Sequence, residues 1–312
     1  MPTREERIEG GLYGLLIGDA LGVPYEFHPP EQIPALELIE FEPPVGFSRA
    51  HVGVPPGTWS DDGAHALCLL ASLLYREGLD LEDLGRRLVN WYELGYMAVD
   101  HEVFDVGIQT REALANVRAG VPALKAGPDG ERANGNGSLM RVLPLVLWHR
   151  GDDAALARDA MLQSRVTHGH MRSQVCCALY CLWARRTLEG VADAWGEALA
   201  TFRALYPEGS EQREELEGAV RPDSSEPGRG SGYVVDCLRS ARDCMAAGPY
   251  ERVVKAAVAL GHDTDTTAAV AGGIAGLRDG VGAIPARWRD ALRGQERVQP
   301  MLKQLLARYA SR

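Results

Sequence analysis

The sequence predicts an all-α protein of many helices in a single domain spanning residues 1–312. Three observations carry that expectation. Apolar and small residues recur at helical spacing along most of the 312 residues. Cap-type residues and glycines punctuate those segments where helices should begin and end. No stretch alternates with period two over several strands, and no βαβ rhythm or dinucleotide-binding fingerprint is present.

Thr3 and Glu6 have the spacing of a capping box, and a helix is expected over residues 8–21. Gly22 suits its C-terminus, and Pro24 cannot continue it. Asp19 lies inside this helix and reads as a cap for a neighbouring segment. Glu26 follows between Tyr25 and Phe27. Aromatic neighbours desolvate a carboxylate and raise its pKa, which suits acid/base chemistry, although an ordinary loop glutamate has the same sequence. Residues 28–57 contain seven prolines and read as a long loop with one short helix near residues 30–38. Long ordered loops often cover a site.

Helices are then expected over residues 63–77, 81–94 and 104–119. Asp105 opens the third, either as a charge on the helix dipole or as a site carboxylate. Residues 125–137 form a second loop whose Asn-Gly pairs indicate tight turning. Gly137 and Ser138 at a following helix start would present N–H groups to an anion. Further helices are expected over residues 140–148, 154–164, 170–186 and 191–205. His168 and His170 are two positions apart and cannot share a helical face, which argues against a zinc pair. Residues 206–232 are polar and acidic, with a short helix near 211–218. They end in Gly230-Ser231-Gly232-Tyr233, where small residues let the backbone approach a ligand and the tyrosine can stack on a base. Helices over 234–247, 251–260, 264–277 and 287–308 complete the chain.

Two stretches stand out chemically. Ser60-Asp61-Asp62 and Asp263-Thr264-Asp265-Thr266 each place hydroxyls and carboxylates directly before a small, apolar helical run. Either alone reads as a helix cap. Together they can face each other and pool four aspartates, which repel when ionised. One Mg²⁺ or Mn²⁺, or a pair roughly 3.5–4 Å apart, turns that repulsion into ligation.

The formal net charge of −10 argues against broad binding to nucleic acid, while leaving room for a small phosphate-bearing ligand. No apolar run reaches the roughly 18 residues of a membrane span. The charged N-terminus lacks a signal-peptide profile, so the cytoplasm is the expected location. The six cysteines lie in apolar helical segments without a C-x-x-C pair and read as buried free thiols.

Taken in register, these stretches resemble the ADP-ribosylglycohydrolase family. The matching segments are Gly18-Asp19-Ala20-Leu21-Gly22 through Glu26, Ser60-Asp61-Asp62, Phe104-Asp105-Val106-Gly107, Asn136 to Arg141, Thr167-His168, Gly230 to Tyr233, and Asp263 to Thr266. The resemblance implies a single-domain orthogonal multi-helix bundle and a metal-dependent hydrolase that cleaves ADP-ribose from a modified target, most plausibly arginine on protein; a monomer is expected. It implies two divalent cations held by Ser60, Asp61, Asp62, Asp263, Asp265 and Thr266. Catalysis would fall to Glu26, Asp62, Asp105 and Asp263, with Glu26 either a ligand or an acid/base. Asn136, Gly137 and Ser138 would hold the diphosphate and distal ribose, His168 would line the pocket, and Ser231, Gly232 and Tyr233 would lie near the adenine. Three departures are noted. Ser60 stands where threonine is common, Gly63 replaces a frequent threonine, and His262 replaces a frequent glycine beside the pocket. A nucleic-acid adduct is a less favoured substrate. The alternative reading is a non-hydrolytic ADP-ribose binder or an immunity protein that blocks an ADP-ribosylating toxin.

Overall fold

Helix α1, Arg4–Gly22, lies antiparallel against α12, Thr264–Asp279, and this pair is the spine of the molecule. Every fourth residue of α1 is a glycine where the two backbones meet. A Cβ on Gly14 would lie 2.4 Å from the Gly272 carbonyl oxygen, and one on Gly18 would lie 2.1 Å from that of Ala268. Only a missing side chain permits that approach. The C-terminus of α1 thereby meets the N-terminus of α12, where the Thr264 hydroxyl donates to the Gly22 carbonyl at 2.8 Å. The predicted capping box is present, with Glu6 N–H donating to Thr3 Oγ1 and Thr3 N–H to Glu6 Oε2.

The computed structural model describes residues 1–310. The described residues form fourteen α-helices and no strand. After the spine's first helix come α2 (Asp61–Arg76), α3 (Leu81–Leu94), α4 (Ile108–Arg118) and α5 (Leu143–Trp148). Next are α6 (Asp153–Ser164), α7 (Met171–Leu188), α8 (Ala194–Leu205) and α9 (Glu211–Glu215). Helices α10 (Val234–Cys244) and α11 (Tyr250–Ala259) precede α12, and α13 (Ala286–Ala291) and α14 (Gln295–Ala310) follow it. Two buried tyrosines fasten neighbours to the spine, Tyr250 donating to the Gly14 carbonyl and Tyr180 to that of Val270. All six cysteines are free and buried, as expected. None of the described helices is long and apolar enough to cross a membrane.

Four expected boundaries need correction. The segment from Phe104 is not helical, because Asp105 takes a left-handed backbone (φ 52°) that an α-helix cannot contain; α4 starts at Ile108. The helix expected from residue 140 starts at Leu143, where Pro144 occupies the first turn. The helix expected over 287–308 is two helices broken at Gly294, whose φ of 72° lets the chain turn tightly against Trp59. A side chain on Gly294 would come within 2.3 Å of that buried indole. The 28–57 loop carries two 3₁₀ turns, Pro30–Gln32 and Leu36–Leu38, rather than one helix. Glu40 fastens this loop to the body, accepting from Lys255, Arg287 and the Trp288 indole.

Candidate active site

The helix α2 begins at Ser60, whose hydroxyl accepts the Asp62 N–H at 3.3 Å. Asp19, projecting from α1, accepts the N–H groups of Ser60 and Gly63, at 2.9 and 2.7 Å. It is the cap for a neighbouring segment that the sequence suggests. Burial pushes its carboxyl up to about 7, against the lowering by those two donors. The same α1 residues that pack on α12 thus set the start of α2.

The starts of α2 and α12 converge. Thr266 Oγ1 lies 3.3 Å from Asp62 Oδ2, and Ser60 Oγ lies 3.2 Å from the same oxygen. Asp61, Asp62 and Asp265 are all buried. Their carboxyls are raised well above the ordinary aspartate range, first by burial and then by one another's charge and that of Asp19, Glu26 and Asp105. Asp62 Oδ1 and Asp265 Oδ2 are buried without any hydrogen-bond partner. Buried carboxylate oxygens facing like charges without donors are the environment that a hard divalent cation relieves. Ligand atoms of Glu26, Asp263 and Asp265 fall within 4.8 Å of one another, as do those of Glu26, His51 and Asp105. The donor set, hydroxyl and carboxylate oxygens on short side chains, fits magnesium or manganese.

This acidic centre opens into a cavity of about 1340 Å³. Glu26, Asp61, Asp105, Asp263 and Thr266 reach its wall, with Asp62 and Asp265 buried behind them. Asp105 projects from its left-handed turn and is raised to about 6 by burial and by Asp263. Glu26 is raised well above its usual range by burial and by Asp105 and Asp263. His51 Nε2, from the covering loop, is paired with Glu26 Oε2.

A second wall is built from two glycine-containing turns that pair with each other. Asn136 N–H donates to the Gly232 carbonyl at 3.0 Å, and Gly135 and Tyr233 form an isolated antiparallel bridge. Asn136 Nδ2 then donates to Asp263 Oδ2 at 2.9 Å, joining this wall to the acidic centre. Gly137, Ser231, Gly232 and Tyr233 line the cavity. The Ser231 hydroxyl, however, donates to Asp236 at 2.7 Å. Ser138 departs from expectation. Its side chain is fully buried behind the wall, against Ser164 Oγ at 2.8 Å and Cys177 Sγ at 3.4 Å, because residues 138–142 form turns rather than a helix start.

His168 lines the same wall. The fully buried Arg141 donates to Thr167 Oγ1 at 2.6 Å, and Thr167 Oγ1 lies 2.8 Å from His168 Nδ1. Thr167 thereby holds the ring through Nδ1 and leaves Nε2 on the side of Gly135 and Gly137. Burial and Arg141 hold this imidazole down to about 3, so it stays neutral. His170, by contrast, caps α7 by accepting the Arg172 N–H. His51, paired with Glu26, and the cavity-wall arginines Arg132, Arg221, Arg229 and Arg239 are site residues that sequence reasoning missed. A lone histidine in a Pro- and Gly-rich loop, or an arginine in an acidic segment, carries no periodic or motif signal. His262 reaches the cavity wall from a left-handed backbone (φ 61°).

Known proteins share this architecture. The ADP-ribosylglycohydrolase family description matches residues 1–312. The chain is 30% identical over 305 residues to the ADP-ribosylarginine hydrolase Tri1 of Pseudomonas putida (strain GB-1), spanning 97% of this chain and 78% of that protein. It is 28% identical over 299 residues to the ADP-ribosyl-(dinitrogen reductase) glycohydrolase of Rhodospirillum rubrum, spanning 93% and 92%. A solved structure described as an ADP-ribosylglycohydrolase-related protein complex superposes with a TM-score of 0.78 at 33% identity, covering 98% of both chains. The helical spine, the paired acidic helix starts and these matches together make the chain a member of the ADP-ribosylglycohydrolase family.

Proposed function

We propose that the protein hydrolyses the glycosidic bond between ADP-ribose and a modified arginine on a protein. Ser60, Asp61, Asp62, Asp263, Asp265 and Thr266 would hold two divalent cations, Mg²⁺ or Mn²⁺. The observation that carries this reading is the convergence of two helix starts from opposite ends of the chain, with Asp62 Oδ1 and Asp265 Oδ2 buried and unpartnered beside a ligand-sized cavity. A mere binder has no need of such a costly centre. The acidic mouth formed by Glu26, Asp105 and Asp263 complements a cationic guanidinium, and the Tri1 relative is named for ADP-ribosylarginine. Free, buried cysteines favour the cytoplasm, and we take a monomer as the working form.

Bound divalent cations would supply charge to orient ribose hydroxyls and to acidify a water. The chain's own residues do the rest. Asn136 steadies Asp263 through its amide. His168 offers Nε2–H to the distal ribose or diphosphate, beside the small Gly137. Tyr233 offers a ring face to the adenine. Asp105, at the mouth with its carboxyl raised to about 6, takes the proton of the attacking water as the transition state gains oxocarbenium character. Glu26, held by His51 and close to Asp263 and Asp265, orders the acidic centre.

The test is a panel of ADP-ribosyl-arginine, ADP-ribosyl-serine and O-acetyl-ADP-ribose incubated with the purified chain and either metal. Intact ADP-ribose released from the arginine adduct is the expected product. Release of AMP would indicate a phosphoesterase instead, and no product from any adduct would leave only a binder.

A further inference from the structure

We propose that His51 is a positioning residue that holds Glu26 toward Asp263 and Asp265. The proposal rests on reading that acidic centre as a divalent-cation site.

Glu26 stands in an unfavourable electrical setting. It is 3% exposed, and Asp105, Asp263 and Asp61 all oppose its charge. A glutamate side chain has three rotatable bonds, so repulsion alone would swing it away from the other acids. Among the described residues the side chain that hydrogen-bonds its carboxylate is that of His51, whose Nε2 meets Oε2. Held there, Glu26 also offers a ligand atom within 4.8 Å of those of Asp263 and Asp265.

His51 is itself held firmly. It belongs to the covering loop, whose Ala50 N–H donates to the Pro24 carbonyl at 2.9 Å, and its own carbonyl accepts the Val54 N–H at 3.0 Å. Its ring lies between Phe27 and Phe104, with centroids 5.5 and 5.0 Å away. Three residues around Glu26 share a left-handed backbone, Phe27 at φ 64°, His51 at 48° and Asp105 at 52°. Such conformations are costly for non-glycine residues and gather where geometry is functional. Three around one carboxylate indicate that its placement is what the surrounding chain maintains. A neutral imidazole that donates from one nitrogen to a carboxylate is the usual outer support of a metal site, in reverse order.

The experiment is a Mn²⁺ titration of the full chain, following free Mn²⁺ by electron paramagnetic resonance, for wild type, His51→Ala, His51→Gln, Glu26→Gln and the His51→Ala/Glu26→Gln double variant. His51→Ala should weaken Mn²⁺ binding about tenfold, and His51→Gln, which keeps an N–H donor, should restore most of it. The double variant should bind no more weakly than Glu26→Gln alone, since His51 acts through Glu26. Affinity unchanged in a folded His51→Ala, or additive losses in the double variant, would overturn the proposal. A nitrogen coupling on bound Mn²⁺ that disappears in His51→Ala would make His51 a direct ligand and overturn it equally. If wild type binds no Mn²⁺, the cation-site reading itself fails, and that result is distinct from a wild type that binds while His51→Ala binds as well.

Discussion

Thr266 donates its hydroxyl to Asp62 Oδ2 at 3.3 Å across 204 residues of chain. This contact closes the acidic centre by joining the first turn of α12 to that of α2. It also means that the two ends of the chain meet at the most repulsive point of the molecule.

Relief of that repulsion should appear as stability. A ligand that binds only the folded state at a hundred times its dissociation constant adds about 2.7 kcal/mol. Mn²⁺ or Mg²⁺ should therefore raise the melting temperature by several degrees, and a chelator should reverse the rise. Asp62→Asn, which removes one charge from a fully buried cluster, should melt higher than wild type without metal and respond weakly to its addition. Calorimetry on both proteins with and without chelator checks this.

Activity should respond in the opposite sense. Asp61→Ala and Asp265→Ala each delete a proposed ligand, and hydrolysis of ADP-ribosyl-arginine should fall by about 100-fold or more, beyond the usual effect of losing an outer support. The helical circular dichroism should remain, because neither side chain packs the core. Full turnover in either variant would refute the ligand assignment.

The spine makes a structural prediction. Gly18→Ala would place a methyl group 2.1 Å from the Ala268 carbonyl oxygen, a backbone atom that cannot rotate away. Overpacking of this kind costs about 1–3 kcal/mol. Because Asp19 is the adjacent residue and caps α2, the variant should also lose metal affinity. Gly46→Ala has open space around it but a φ of 93°, so it should be strained locally and leave metal binding intact. Denaturant melts and Mn²⁺ titrations separate the two effects.

How far the sequence reveals this site depends on which forces place each residue. Asp61, Asp62, Asp263 and Asp265 are legible because hydroxyls and carboxylates at a helix start have a local grammar, and the small residues behind them announce close packing. Glu26 and Asp105 are visible mainly through family resemblance. The left-handed turn at Asp105 is set by tertiary contacts, so propensity places it inside a helix that starts three residues later. The break at Gly294 has the same origin, since it exists to let Trp59 bury. The direction of Ser138 could not be read because its neighbours form turns, and His51 has no signal before the covering loop folds over Glu26.

Proton competition gives a pH prediction with two opposite signs. Burial raises Asp61, Asp62 and Asp265 well above their usual range and Asp19 to about 7 in the metal-free protein. The folded state then keeps protons that the unfolded chain releases near pH 4. The stability from these groups is fully present below that pH and is lost as pH rises through the raised folded values. Metal-free protein should melt lower at about pH 8 than at about pH 5.5. Metal ligation needs the protons gone, so Mn²⁺ affinity should climb over the same interval. Melting curves with chelator and with Mn²⁺ should therefore diverge with increasing pH, and parallel curves would mean that these carboxyls do not bind the metal.

Tyr233 tests the far end of the cavity. Its backbone is fixed by the bridge to Gly135, and the residue is 40% exposed at the cavity wall. An aromatic ring held that way at a cavity wall is poised to stack on a base, an interaction of about 1–3 kcal/mol. Tyr233→Ala should therefore raise KM for the ADP-ribosylated substrate by about 5- to 100-fold, with kcat changed much less, because the adenine lies away from the reacting bond. Tyr233→Phe keeps the ring and should stay near wild type. Steady-state kinetics on the two variants decide the point, since a loss confined to kcat would place Tyr233 at the reacting end and reverse the orientation of substrate in the cavity.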